Sequence, residues 1–264
     1  MVRLSDEDIL FFKREGYLIK RSVLDPDLMA RARARLWDGA PPSMDRSDPE
    51  TWVGPIKKDE ECQDTMNAKR GFRWNFREPG VEDWMVRLLA TDPNVWGMAE
   101  QFLGEGNVQT PDGIRGIYCT LPYGDEPEKP TTCHVDGHPF HLGVVGYIDH
   151  VPPRGGGFTV WPKSHLKFYY EFHSQYKHER TDGYDDVLAE INQTPYVETH
   201  GGPGDIVFWH HRIGHAAGQN FSKQIRQAVL YDFRKKDLEQ AQEEPPCVDM
   251  WRDWPGIQAL KDKD

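Results

Sequence analysis

From residue 114 onward the chain is written in short β-rich runs separated by turn residues. The runs cover 114–121, 141–151, 158–161, 205–210 and 227–233. This rhythm predicts a sandwich, barrel or jelly roll, because each short strand buries little by itself and must share its core with many others. The 24 glycines and 20 prolines suit a chain that turns often. At 264 residues it is long enough for one β domain with helical decoration and a sizeable core.

The first hundred residues read differently. Ser5 followed by three acidic residues predicts a helix start, and Gly16 its end. Residues 17–20 follow as a short strand, 25–37 as a helix, and 84–103 as helix interrupted at Asp92-Pro93. Between 40 and 80 lie Pro41, Pro42, Pro49, Pro55 and Pro79 among mixed charges and scattered aromatics. That stretch reads as an irregular insertion of the kind that serves as a lid or binding loop. A polar excursion over 166–195 carries a helix at 184–191, and Trp251 and Trp254 predict that the charged tail docks back on the body. The expectation is a single domain over 1–264, mainly β with flanking helices. It comprises a mostly helical shell and lid region over 1–105, a core over 106–235 and a C-terminal tail over 236–264.

The formal net charge of −11 argues against broad binding to nucleic acid or to an anionic membrane. The N-terminus has no apolar signal-like segment, and no stretch approaches transmembrane length. The four cysteines, Cys62, Cys119, Cys133 and Cys247, match no zinc knuckle or paired redox motif. Reduced thiols in a cytoplasmic protein are the expectation. The sequence carries no signal of oligomeric state.

Two motifs carry chemistry. In His134-Val135-Asp136-Gly137, residues two apart on extended chain point the same way, so an imidazole and a carboxylate project together. Gly137 then lets the chain turn away without crowding them. Taken alone, such a pair is more often a polar turn. The second motif runs from Gly204-Asp205 through an apolar strand to three histidines, His210, His211 and His215. The pattern does not choose among them. Two imidazoles and one carboxylate form the facial ligand set of non-haem Fe(II), which leaves positions open for other ligands.

Arg226 opens the last strong strand. Gln227, Val229, Tyr231 and Phe233 share one face, and Arg226, Ala228 and Leu230 the other. Both faces are largely apolar, so the Arg226 side chain is expected to enter the interior. A guanidinium there requires a partner. Asp232 is about 20 Å along an extended strand. The candidates are an acid from another strand or a ligand carboxylate, which guanidinium grips in bidentate fashion.

Taken together these pieces resemble the phytanoyl-CoA dioxygenase family of Fe(II)/2-oxoglutarate-dependent oxygenases. The resemblance rests on residues 8–17 with Gly16-Tyr17, on His134-Val135-Asp136-Gly137, on the run from Gly155 to His165, and on Gly204-Asp205 through His215, Asn220 and Ser222 to Arg226. It spans most of residues 4–235. It implies a double-stranded β-helix, the jelly-roll or cupin-like fold. It implies Fe(II), 2-oxoglutarate and O₂ as cofactor and co-substrates, with release of succinate and CO₂ as a substrate C–H bond is hydroxylated. By the same resemblance His134, Asp136 and His215 hold the metal, and Arg226, eleven residues past His215, binds the far carboxylate of 2-oxoglutarate. His210 and His211 become packing residues. Thr159 and Tyr118 are further candidates for contact with the co-substrate. Val135 and Ala217 depart from polar residues that some members carry there. Related halogenases replace the carboxylate with a small residue, so Asp136 favours hydroxylation.

The implied partner is a small-molecule substrate. Lys69, Arg70, Arg73 and Arg77 among Phe72, Trp74 and Phe76 suit an anionic or aromatic one, or else form a solvated basic loop. His138, His141, Arg154 and Trp161 are other residues that could face a cavity. Two competing readings are a cupin-type metalloenzyme without 2-oxoglutarate and a non-catalytic jelly-roll binding protein.

Overall fold

A computed structural model describes residues 2–260; the last four residues of the expected tail lie outside the described residues. Ten strands form two antiparallel sheets. The strands are β1 (Tyr17–Lys20), β2 (Asn67–Arg70), β3 (Arg73–Phe76), β4 (Ile117–Thr120), β5 (Leu142–Tyr147), β6 (Phe158–Val160), β7 (Val197–Glu198), β8 (Ile206–His210), β9 (His215–Ala217) and β10 (Arg226–Phe233). The larger sheet runs β1-β8-β5-β10-β4-β3-β2 and the smaller β7-β6-β9. The helices are α1 (Asp6–Glu15), α2 (Pro26–Leu36), α3 (Asp83–Leu88), α4 (Pro93–Leu103), α5 (Ser164–Phe168), α6 (Tyr184–Ile191), α7 (Leu238–Ala241) and α8 (Pro255–Gln258). This is the cupin-like double-stranded β-helix with flanking helices.

Strand alternation divides the large sheet into two faces. Leu18, Phe208, Val144, Val229, Ile117 and Trp74 point to one side and pack on Phe12, Met29, Val95 and Phe102 of the helices. Val207, Val145, Leu230 and Ala228 point to the other and meet Phe158 and Val160 of the small sheet. Pairing register keeps each row in step: Val207 lies opposite Val145, Val145 opposite Leu230, and Ala228 opposite Tyr118. A slip of one residue would turn every apolar side chain to the wrong face. At Gly143, opposite Trp209, a Cβ would lie 2.0 Å from the indole, so this strand accepts no side chain there.

The helix signals hold at α1. The Ser5 hydroxyl accepts from Asp8 N, the Asp8 carboxylate accepts from Ser5 N, and Gly16 closes the helix at φ 81. Such a cap contributes about 1 kcal/mol. Asp92 caps α4 and explains the interruption between α3 and α4. The stretch expected to be irregular between 40 and 80 is different. It holds the β2–β3 hairpin, which extends the large sheet beyond β4. The alternation Arg73-Trp74-Asn75-Phe76 buries both aromatics completely, and the surrounding prolines mask that signal in the sequence.

The tail docks as expected. Trp254 packs on Phe12 with ring centroids 5.7 Å apart and stacks on His210 at 5.2 Å. Beneath it lie four buried imidazoles, His141, His165, His210 and His211. Burial depresses all four: His141 to about 3, His165 to about 4, and His210 and His211 well below the usual histidine range, His210 further opposed by His211 and His165 and His211 by Arg212 and His141. Each is thus held neutral in the fold yet binds a proton near pH 6.5 when unfolded. Stability is therefore complete above about pH 6.5 and declines as pH falls below it, by up to about 1.4 kcal/mol per pH unit for each imidazole. Urea unfolding at pH 7 and at pH 5.5 is expected to show the lower midpoint at the lower pH; equal midpoints would contradict it.

Candidate active site

His134 and His215 face each other across an isolated antiparallel bridge. His134 N donates to His215 O at 3.0 Å, and His215 N donates to His134 O at 2.9 Å. That pair of hydrogen bonds sets the two imidazoles side by side, with centroids 4.4 Å apart. Asp136, two residues on, brings Oδ1 to 3.8 Å from His134 Nε2 and 3.6 Å from His215 Nε2. One donor atom from each of the three residues lies within 4.8 Å of the others, a spacing that one ion can bridge.

The surroundings prepare these atoms to act as ligands. His215 Nδ1 lies 3.0 Å from Ile213 O, so it carries the proton and leaves the Nε2 lone pair free. Arg115 donates to Asp136 Oδ2 at 3.1 Å, leaving Oδ1 for the histidine side. Burial opposes the Asp136 charge, but His215, Arg115 and His138 outweigh it and hold the carboxyl well below its usual range. Crowding by protein, and then the adjoining His215, lowers His134 to about 4. At neutral pH the pair is a carboxylate and a neutral imidazole, the forms that bind a metal. The donor set fits the Fe(II) that the motifs imply.

Arg115 also donates to Asp232 Oδ2 at 2.6 Å and approaches His138 Nε2 at 2.9 Å, while His138 lies 2.9 Å from Asp232. Asp136, His138 and Asp232 have metal-like spacing, but the Arg115 guanidinium bonded to them already supplies the positive charge.

Arg226 enters the interior. Its Nε donates to Gly156 O at 2.9 Å, Nη1 to Tyr118 O at 3.1 Å and Nη2 to Thr120 Oγ1 at 3.0 Å. Among the described residues no carboxylate pairs with it, and burial lowers its pKa. Its cavity, about 150 Å³, is also lined by His134, Asp136, His215, Val145, Phe158, Trp209 and Leu230. A larger hollow of about 470 Å³ meets it at Arg115 but brings no such donor set together.

Of the residues singled out in the sequence, His134, Asp136, His215, Arg226 and Tyr118 converge on this cavity, Tyr118 giving Arg226 its carbonyl. Thr159 does not. Its hydroxyl turns to Gly157 O at 3.3 Å, and the threonine at Arg226 is Thr120. Thr120 lies directly opposite Arg226 across β4 and β10, which is visible only once the strands are paired. Arg115 also escapes a sequence reading, since its acids lie 21 and 117 positions away. His210 packs under the tail, and His211 against Tyr176. His141 is beneath the tail too, Trp161 packs on Tyr196, and Arg154 pairs with Glu128. The buried Cys133 thiol is pushed up to about 12, which makes it inert.

The sequence matches the phytanoyl-CoA dioxygenase (PhyH) family over residues 12–228, and the chain belongs to that family of Fe(II)/2-oxoglutarate-dependent oxygenases. No curated protein matches it. Among solved structures it resembles the non-heme α-ketoglutarate-dependent carbocyclase SnoK of nogalamycin biosynthesis, with TM-score 0.56 and 19% identity over 94% of this chain and 95% of that one. It also resembles EctD from S. alaskensis, solved with 2-oxoglutarate and 5-hydroxyectoine, with TM-score 0.54 and 16% identity over 92% and 79% of the two chains. The epimerase SnoN, also of nogalamycin biosynthesis, gives TM-score 0.54 and 20% identity over 95% and 89%. At these identities the likeness establishes the fold. Among the described residues no helix is long and apolar enough to cross a membrane.

Replacing Arg115 by alanine frees Asp136 and leaves Asp232 without its cation. Removing such an outer partner of a ligand weakens metal binding about 10- to 100-fold. Mn(II) titration followed by electron paramagnetic resonance is expected to show that loss in folded protein; an unchanged affinity would remove Arg115 from this role.

Proposed function

We propose that this oxygenase hydroxylates a C–H bond of a small organic substrate, with His134, Asp136 and His215 holding the iron and Arg226 holding the far carboxylate of 2-oxoglutarate. The observation that carries this reading is the meeting of two unfinished sites in one cavity. Three metal-type donors face each other there, and a buried guanidinium without an acid lies on the same wall.

Iron and 2-oxoglutarate, when bound, supply the O₂ activation and oxidising power for attack on the C–H bond. The chain supplies position and charge. Arg226 is pinned by three hydrogen bonds to Gly156, Tyr118 and Thr120, so the N–H groups that remain are aimed before a ligand arrives. Thr120 keeps that guanidinium on the cavity face. His215, Arg115 and His138 together keep Asp136 ionised, and Arg115, bonded to Oδ2, leaves Oδ1 for the metal side. Val145, Phe158, Trp209 and Leu230 make the surrounding wall apolar, which strengthens every charge interaction inside it. The carboxylate of Asp136 occupies the position that halogenases vacate, which supports hydroxylation.

Small-molecule substrates are supported by the relatives, which act in nogalamycin biosynthesis or bind 5-hydroxyectoine. We read the chain as one catalytic unit, because the cavity draws residues from Arg73 through Leu230. Four free cysteines support a cytoplasmic protein.

The test is anaerobic addition of Fe(II) and then 2-oxoglutarate, followed by the visible charge-transfer band of the chelated keto acid. The band is expected in the native protein. Arg226→Ala is expected to weaken 2-oxoglutarate binding about 10- to 100-fold, the range for lost hydrogen bonds to a charged group. Asp136→Ala and His215→Ala are expected to lose iron, whereas His211→Ala keeps it. Metal binding without the band would instead support a cupin that does not use 2-oxoglutarate.

A further inference from the structure

The active-site cavity is basic inside an acidic molecule. Among the described residues that line it, Arg73, Arg115 and Arg226 carry positive charge and Asp136 is the one acid. The chain as a whole carries −11. Arg115 is taken by Asp136 and Asp232. On the function proposed above, divalent iron balances a doubly ionised 2-oxoglutarate, and Arg226 is taken by that co-substrate. Arg73 is left over: among the described residues the side chain of this exposed arginine has no ion pair and no hydrogen-bonded partner.

Its placement is dictated by the sheet. Trp74 and Phe76 are buried on the helix side of β3, so Arg73 and Asn75 are turned to the cavity side. Arg73 lies opposite Thr120, which lies opposite Arg226; Asn75 lies opposite Tyr118. Of the other cations near it, Arg70 lies on the outer strand β2 and does not line the cavity, and two more are engaged elsewhere. Lys69 Nζ donates to Gly39 O, and Arg77 lies over the Tyr118 ring and donates to Thr65 O.

We propose that the substrate is an organic anion, and that Arg73, with Asn75 beside it, receives its carboxylate or phosphate group. This rests on the iron and 2-oxoglutarate reading of the same site. Guanidinium recognises either anion by paired N–H donors, and the apolar wall of Phe158, Trp209 and Leu230 takes the remainder of the molecule.

The test uses the full chain as its anaerobic Fe(II)–2-oxoglutarate complex, with phenylacetate and phenyl phosphate as anionic probes and phenylacetamide as the neutral match. Binding is read from perturbation of the charge-transfer band. At least one of the anions is expected to bind about tenfold more tightly than the amide, the scale of one charged hydrogen bond. Arg73→Ala is expected to erase that preference, Arg73→Lys to restore part of it, and Arg73→Glu to shift it to phenethylamine. The 2-oxoglutarate affinity of Arg73→Ala should remain within about twofold of native. Equal binding of acids and amide overturns the proposal, and so does a tenfold loss of 2-oxoglutarate affinity, which would give Arg73 to the co-substrate. Failure of the band to form in the native protein is a separate result, against the iron and 2-oxoglutarate reading itself.

Discussion

Two backbone hydrogen bonds between His134 and His215 hold the candidate site together. They join residues 81 positions apart in the chain and set the two imidazoles side by side. Asp136 follows from that bridge by the geometry of extended chain, and the free lone pair of His215 follows from Ile213 O two residues before it. No side chain has to reach far. A site assembled by main-chain pairing is as rigid as the sheet that bears it, which is what a metal of defined geometry requires.

Charge is distributed around this centre with few acids to spare. Arg115 serves both Asp136 and Asp232, and breaking a pair of this kind costs about 3–5 kcal/mol when it is buried. Arg226 is deeper, and its partners are two carbonyls and a hydroxyl, which solvate a cation without cancelling it. A fold that leaves such a group uncompensated gives up stability for binding. The same economy extends to Arg73 at the cavity wall.

The body of the protein meets a different demand. The helix-facing side of the large sheet is closed by Phe12, Phe102, Trp251 and Trp254, and four imidazoles are sealed under that aromatic layer in their neutral forms. The β2–β3 hairpin connects this layer to the site. Its buried Trp74 and Phe76 belong to the helix-side core, and its alternate residues Arg73 and Asn75 belong to the cavity. One strand therefore couples packing on one face to recognition on the other.

Much of this was legible in the amino-acid sequence. Ser5 and Gly16 bound α1 because capping is local, and the alternation around Arg226 shows a charged side chain entering an apolar interior. The His134-x-Asp136 pair follows from a period of two. These are properties of neighbours in the chain, and neighbours are what a sequence records. The tertiary structure decided the rest. His215 rather than His210 or His211 faces Asp136 because it pairs with His134, and Thr120 rather than Thr159 meets Arg226 because β4 lies beside β10. Arg115 acquires its role only when Asp136 and Asp232 are brought to it from distant positions. Strand pairing and ion pairing depend on distance in space, and no local pattern of residues encodes which distant segments will meet.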